Sequence, residues 1–237
     1  MATSARRFKS AVYDQLARVA KSMASAVRLE LLDLLSQAPR TVESLALETG
    51  QSIANTSQHL QVLRRACIVE AEKQGQYVRY RLADAQVADL CRSLRVLATA
   101  RVTDVQRIVR DYLAKEGNLE PVEQKALIGR VARGEVTLID VRPAEEYRAG
   151  HIKGAISMPL DELDEHLPSI PRRRDVVAYC RGPYCVLAIE AATRLRARGF
   201  RAFRLEAGVV DWRAQGLRVA ESGSAGAPKP RAVRGDG

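Results

Sequence analysis

The sequence predicts two domains of different class. The N-terminal half is mostly α with one β-hairpin, and the C-terminal half is α/β with a mainly parallel sheet. Apolar residues recur at helical spacing through the first half, whereas short Val- and Ile-rich runs alternate with helical stretches in the second. Between them "KEGNLEP", residues 115–121, gathers Gly, Asn and Pro behind a charged helix end and marks the boundary. The expected division is 1–116 and 117–221. A tail follows, 222–237, whose Gly, Pro, Ser and Arg content predicts disorder.

The elements can be justified in order. Val19, Met23, Val27, Leu31, Leu34 and Leu35 share a helical stripe, which Pro39 in "QAPRT" interrupts. Thr41 then reads as an N-cap, with Glu43 in the first turn, for a short helix ending at Gly50. Ser52 caps the next helix, which runs to about Ala66. Two short helices joined by a Gly-containing turn form a helix-turn-helix. In "IVEAEKQGQYVRYRL", Val78, Tyr80 and Leu82 alternate with Tyr77, Arg79 and Arg81 beyond a Gln74-Gly75 turn, which predicts a hairpin. One long helix is expected from Ala85 to Lys115, with Leu90, Leu94, Leu97, Ile108 and Tyr112 on its apolar side. In the second half "VTLIDV" (136–141) and "DVVAYC" (175–180) predict buried strands. Val186 to Arg198 predicts a helix, and "FRAFRLEAG" a further strand.

The composition, 46% hydrophobic and 28% charged, is that of a soluble globular protein, and 5% aromatics leave the cores to aliphatic side chains. A formal charge of +10 favours a polyanionic partner, most simply nucleic acid, although an arginine-rich coding bias gives the same balance. Four cysteines in 237 residues do not make a disulfide scaffold. No apolar segment follows "MATSARR" as a signal peptide requires, and no stretch approaches the roughly 20 apolar residues of a membrane helix. The expectation is a cytoplasmic protein with reduced thiols, no membrane partner and no cofactor.

On the helix from Ser52 to Ala66, Thr56, Leu60 and Leu63 lie on one face. The opposite face carries Ala54, Gln58, Gln61 and Arg65, flanked by Asn55 and Ser57, with Ser52 at the start. Amide and hydroxyl side chains read base edges in the major groove. Arg64, Arg65, Lys73, Arg79 and Arg81 are placed to neutralise phosphates. The order of elements and the run "SQHLQVLRRACIV" resemble the ArsR/SmtB family of winged-helix repressors, over roughly Gln15 to Tyr112. The most specific pieces are Ser57-Gln58-His59-Leu60, Leu63 and the wing "GQYVRYRL". The resemblance implies a homodimer held largely by its first and last helices and bound to double-stranded DNA at an imperfect palindromic operator. His59 matches the family's His-Leu pair and lies near the core side by helical phase, where it supports packing.

Many members of that family sense metals, through a Cys-x-Cys pair on the helix before the recognition helix or through Asp and His on the last helix. Here the first of these reads "TVESLALETG", the last helix has no His, and the chain holds only His59, His151 and His166. No metal site is expected. Cys67 ends the recognition helix, where many relatives carry Gly, and Cys91 lies beside the apolar stripe of the last helix. Both read as small buried hydrophobes, with a thiol switch at one or both as the alternative.

The second half carries "LIDVRPAEEYRAGHIKGAISMPL", "VVAYCRGPYCVLAIEAATRLRARGF" and "RLEAGVVDWRAQGL". Asp-Val-Arg, Gly-His-Ile-x-Gly-Ala and Glu-x-Gly-x-x-x-Trp in this order, with a Cys at the end of a central strand, resemble the rhodanese family of sulfurtransferases over about Leu119 to Ala220. A loop that leaves a strand and opens a helix directs N–H groups and the helix dipole at its concavity, and Arg181 adds positive charge. Such surroundings raise the thiolate fraction of Cys180. The resemblance implies that Cys180 attacks a sulfane sulfur donor, such as thiosulfate or a persulfide, and carries the sulfur as a persulfide to a second thiol. Asp140 and Arg142, from the Asp-Val-Arg motif, are expected to organise the loop or bind the anionic donor. His151 is expected to tie its turn together, and Asp211-Trp212 to pack the closing helix.

The loop Cys180-Arg181-Gly182-Pro183-Tyr184-Cys185 departs from the family pattern. Gly182 comes one place early, Pro183 removes an N–H from the anion cradle, and Cys185 stands where the family has a terminal Arg. That weakens thiosulfate as donor. Cys185 is either a resolving thiol, able to form a transient disulfide with Cys180, or a buried Cys on the first helical turn.

The combined reading is a DNA-binding transcriptional regulator, by resemblance a repressor, whose DNA affinity responds to reactive sulfur or thiol redox state through a persulfide on Cys180. Two alternatives stay open. One is a sulfurtransferase first, with an autoregulatory DNA-binding domain. The other is a regulator whose rhodanese domain is a catalytically inactive sensing module.

Overall fold

A computed structural model describes residues 3–115, 122 and 124–221; the expected domain boundary at 116/117 and the tail at 222–237 lie outside them. The N-terminal half begins with helices α1 (Ser4–Met23) and α2 (Ala26–Gln37). The continuous stripe expected from Val19 to Leu35 is thus split. Ala24 and Ser25 leave the helical region, and the Arg28 guanidinium bonds the freed carbonyls of Ser22, Lys21 and Ala24. Next come β1 (Arg40–Thr41), α3 (Val42–Thr49) and α4 (Ile53–Arg65). Thr41 Oγ1 caps α3 by accepting from the Ser44 N–H at 3.3 Å, and Gly50 ends it at φ 63°. Ser52 Oγ caps α4 through the Asn55 N–H at 3.2 Å.

Strands β2 (Val69–Gln74) and β3 (Tyr77–Leu82) form the hairpin, and β1 joins β3 to complete an antiparallel sheet in the order β1-β3-β2. Strand β1 is not legible in the sequence, because two residues carry no period. Helices α5 (Ala85–Arg101) and α6 (Thr103–Lys115) replace the single long helix expected between Ala85 and Lys115. Val102 breaks it with an extended backbone, φ −101° and ψ 103°. Val102 and Thr103 are both β-branched, which lowers the cost of leaving the helix there. Leu31, Leu32, Leu45, Leu60 and Leu63 are fully buried between α2, α3, α4 and the hairpin, each contributing about 1.5–3 kcal/mol relative to exposure.

The second half runs α7 (Gln124–Ala132), β4 (Val136–Asp140), α8 (Ala144–Ala149), β5 (His151–Ile152), β6 (Ile156–Ser157), α9 (Leu163–His166) and β7 (Asp175–Tyr179). It closes with α10 (Val186–Ala197), β8 (Ala202–Arg204), α11 (Val209–Ala214) and β9 (Val219–Ala220). The four-stranded sheet β6-β4-β7-β8 is parallel throughout, and β5 pairs with β9 antiparallel. Both central strands are buried along their length, as a parallel sheet covered on two faces requires. On β7, Val176, Ala178 and Cys180 face α10, while Val177 and Tyr179 face the layer of α7 and α11. The strand's period therefore sets Cys180 in the core layer beneath α10. Leu113 of α6 packs on that same layer, so the last helix of the first half rests on the second. No described helix is long and apolar enough to cross a membrane.

Candidate functional site

The loop between β7 and α10 brings Cys180 and Cys185 together as a disulfide, with Cα atoms 6.1 Å apart. Cys180 is only 1% exposed; Cys185, the N-cap residue of α10, is partly open. The Cys185 N–H closes a turn on Gly182 O at 3.1 Å, and Pro183 has no N–H. The loop therefore aims fewer free donors at its concavity than the family pattern predicts.

Arg181 does not lend its charge to that concavity. Its guanidinium forks onto Glu146 of α8 at 2.6–3.2 Å and onto Glu48 of α3 at 2.9 and 3.1 Å. Burial works against its charge, but the two carboxylates hold its pKa above the ordinary arginine value. Arg40, 2% exposed, joins the cluster through Glu146, with Glu145 at 3.3 Å and Glu48 at 3.5 Å. Nothing in the sequence marks Arg40, Glu48 and Glu146 as neighbours of the loop. Glu48 and Arg181 are 133 positions apart, and no local pattern links them.

Asp140 and Arg142 form a closed structural pair rather than a donor-binding one. Arg142 is fully buried and donates to Asp140 at 2.6–3.2 Å, to Gly150 O at 2.7 Å and to Gln37 Oε1 of α2 at 2.9 Å. Burial opposes its charge, and the pairing with Asp140 raises its pKa regardless. Tyr179 donates its hydroxyl to Asp140 Oδ2 at 2.6 Å and accepts from the Ile152 N–H at 3.0 Å. Burial, with Asp140 beside it, pushes the phenol well above its usual range.

Further loop residues meet the first half. Tyr184 shares a hydrogen bond with Thr99 of α5, and Arg95 of α5 pairs with Asp211 of α11. Asp211 was expected to pack the closing helix; instead it accepts from Arg95 and from the Gly208 N–H at 3.1 Å, while Trp212 fills the core. Gly208 lies against the loop backbone, and a Cβ there would fall 2.0 Å from Arg181 O. The Gly of Glu-x-Gly-x-x-x-Trp is thus required by close approach. His151 stacks on Tyr147 and bonds its carbonyl at 2.9 Å, holding its turn.

On α4, Ser52, Ala54, Gln58, Gln61, Arg64 and Arg65 are exposed, whereas Asn55, Ser57 and His59 are half-buried. Asn55 Nδ2 already donates to Gln51 Oε1 at 2.7 Å. On the wing, Lys73 is exposed. Arg81 pairs with Glu70, and Arg79 turns back onto Pro39 O at 2.8 Å with Glu145 at 3.8 Å, so neither guanidinium stands free as expected for phosphate contact. Cys67 is exposed, not buried as expected, and adopts φ 59°, a left-handed position that glycine fills without strain. Cys91 is partly buried against the first core, and burial pushes its thiol up to about 11. Among the described residues no cluster of three His, Cys, Asp or Glu is placed to hold a metal.

Two family profiles match this chain: "Bacterial regulatory protein, arsR family" over residues 25–71 and "Rhodanese-like domain" over 123–215. The HTH-type transcriptional regulator Rv0324 of Mycobacterium tuberculosis is 42% identical over 218 residues, covering 92% of this chain and 96% of that protein. The chain belongs to the ArsR-type DNA-binding regulators with a C-terminal rhodanese-like domain. A sulfurtransferase of Allochromatium vinosum is 31% identical to this regulator over 100 residues, 41% of this chain and 92% of its own. A homodimeric winged helix-turn-helix DNA-binding domain from Mycobacterium bovis is 40% identical, with a TM-score of 0.40 over 43% of this chain and 94% of that one.

Proposed function

We propose that the DNA affinity of this regulator is set by the chemical state of Cys180, either as a persulfide received from a sulfane sulfur donor or as the disulfide with Cys185. The reading takes 1–116 as the DNA-binding and dimerising unit and 117–221 as the sensing unit of a cytoplasmic homodimer. One observation carries it. Arg181, the residue after Cys180, is ion-paired to Glu48 on α3, and α3 supports the recognition helix α4. A change at Cys180 moves a residue that grips the helix-turn-helix, and so gives the two states of the loop different contacts with the DNA reader. Bases are read by Gln58 and Gln61 and phosphates by Arg65 and Lys73, at an imperfect palindrome.

The test is DNA affinity for the gene's own upstream region at fixed salt, with reduced and polysulfide-treated protein, for wild type and Cys180→Ala. The expected result is a change in wild type and none in the variant. Equal affinities of the reduced and treated wild type overturn the reading. The sealed position of Cys180 and the engaged charge of Arg181 favour a second reading, a rhodanese unit that senses without turnover. In that case neither thiosulfate nor a persulfide loads Cys180, and only the thiol–disulfide change alters affinity.

A further inference from the structure

A cavity of about 650 Å³ separates α2 and α5 from the reactive loop. Its wall is mainly aliphatic, from side chains such as Leu34, Leu94 and Val186. Cys185 lines it, whereas Cys180 does not and is only 1% exposed. The three arginines that reach it already have partners: Arg92 and Arg95 share Asp211, and Arg181 holds Glu48 and Glu146. Two carboxylates of α2, Glu30 and Asp33, also reach it, and among the described residues neither has an ion pair. Both carboxylates are exposed at the wall of the cavity.

We infer that this cavity is a binding site for a low-molecular-weight organic thiol bearing an ammonium group, which opens the Cys180–Cys185 bond by attack at Cys185. The volume is that of an organic ligand site. Its free carboxylates repel a dianion such as thiosulfate and attract a cation. The disulfide offers the cavity its Cys185 sulfur and withholds that of Cys180. The ligand's thiolate attacks Cys185 Sγ, a new sulfur–sulfur bond forms there, and the old bond breaks with its electron pair leaving on Cys180 Sγ. The products are a mixed disulfide on Cys185 and a Cys180 thiolate, with no other oxidant or reductant. The site thus deepens the reading of Cys180 as the sensing thiol by supplying a route that exposes it, and it rests on that reading only for its consequence at DNA.

The experiment treats the full-length disulfide form with cysteamine, 2-mercaptoethanol or 3-mercaptopropionate at equal thiolate concentration. It quenches early with an alkylating agent and maps the adducts by peptide mass spectrometry. The expected result is an adduct on Cys185, formed at least about fivefold faster with cysteamine than with either other thiol, the scale of one favourable charge contact. Asp33→Asn is expected to remove most of that preference while leaving the rate with 2-mercaptoethanol unchanged. Adducts on Cys180, no opening by any of the thiols, no preference for the cationic thiol, or a preference that survives Asp33→Asn would each overturn the site. DNA titration of the same samples separates the two proposals. A Cys185 adduct with unaltered DNA affinity sinks the sensor reading and leaves the site standing.

Discussion

Arg142 shows how burial decides what a charged side chain does. Its place in the Asp-Val-Arg motif was legible, but its function was not, because Gln37 and Gly150 approach it only in the folded chain. Every contact it makes is internal, so its removal leaves Asp140 charged and buried with no cation. Arg142→Ala is expected to cost about 3–5 kcal/mol in urea unfolding, and Arg142→Lys less, since one ammonium cannot reproduce the fork. A loss within 1 kcal/mol would show that Asp140 is satisfied without it. Cys91 yields a prediction of another kind. Burial pushes its thiol from the ordinary 9.0 up to about 11. The folded state therefore keeps a proton that the unfolded chain releases first. This contribution to stability is whole below pH 9.0 and fades as pH rises towards 11. Alkylation of Cys91 should stay slow at neutral pH and climb until about pH 11, while exposed Cys67 reacts readily. Fast labelling of Cys91 at pH 7 would contradict its burial.

At the scale of elements, legibility followed period and length. The hairpin, the two caps of the helix-turn-helix and the strands β4 and β7 have enough residues to display an alternation or a capping residue. Strands β1, β5 and β9 are two residues each, too short for a pattern, and exist because a partner strand is already in place. The break at Val102 is equally tertiary: it lets α6 turn onto the second core through Leu113. Between elements, the contact of α3 with the loop rests on Glu48 and Arg181. A double-mutant cycle of Glu48→Gln and Arg181→Gln is expected to return a coupling energy of about 0.5–3 kcal/mol, read from urea unfolding. Strict additivity would mean that Arg40, Glu145 and Glu146 hold the loop without Glu48.

At the scale of the molecule, large apolar side chains stand exposed on the first and last helices of the DNA-binding unit. Phe8, Val12, Tyr13 and Leu16 stand exposed along α1, and Leu90, Leu97 and Ile108 along α5 and α6. So many large apolar groups on the first and last helices of a DNA-binding unit match an interface between two copies, which would also set two recognition helices against the two halves of a palindrome. The stripe from Leu90 to Tyr112 was legible in the sequence, whereas its exposure depends on the other face of α5 resting against α2. Leu97→Glu places a charge in the middle of this surface. Sedimentation equilibrium should then report a monomer where wild type is a dimer, and affinity for a palindromic operator should fall by at least tenfold, because a single half-site forfeits the contacts of the second. Ile156→Glu, on an exposed residue of the edge strand β6 of the second half, should leave both readouts unchanged. Should Leu97→Glu remain a dimer with full operator affinity, the exposed face of α1, α5 and α6 serves some other partner, and the two-copy reading of the DNA-binding unit is lost.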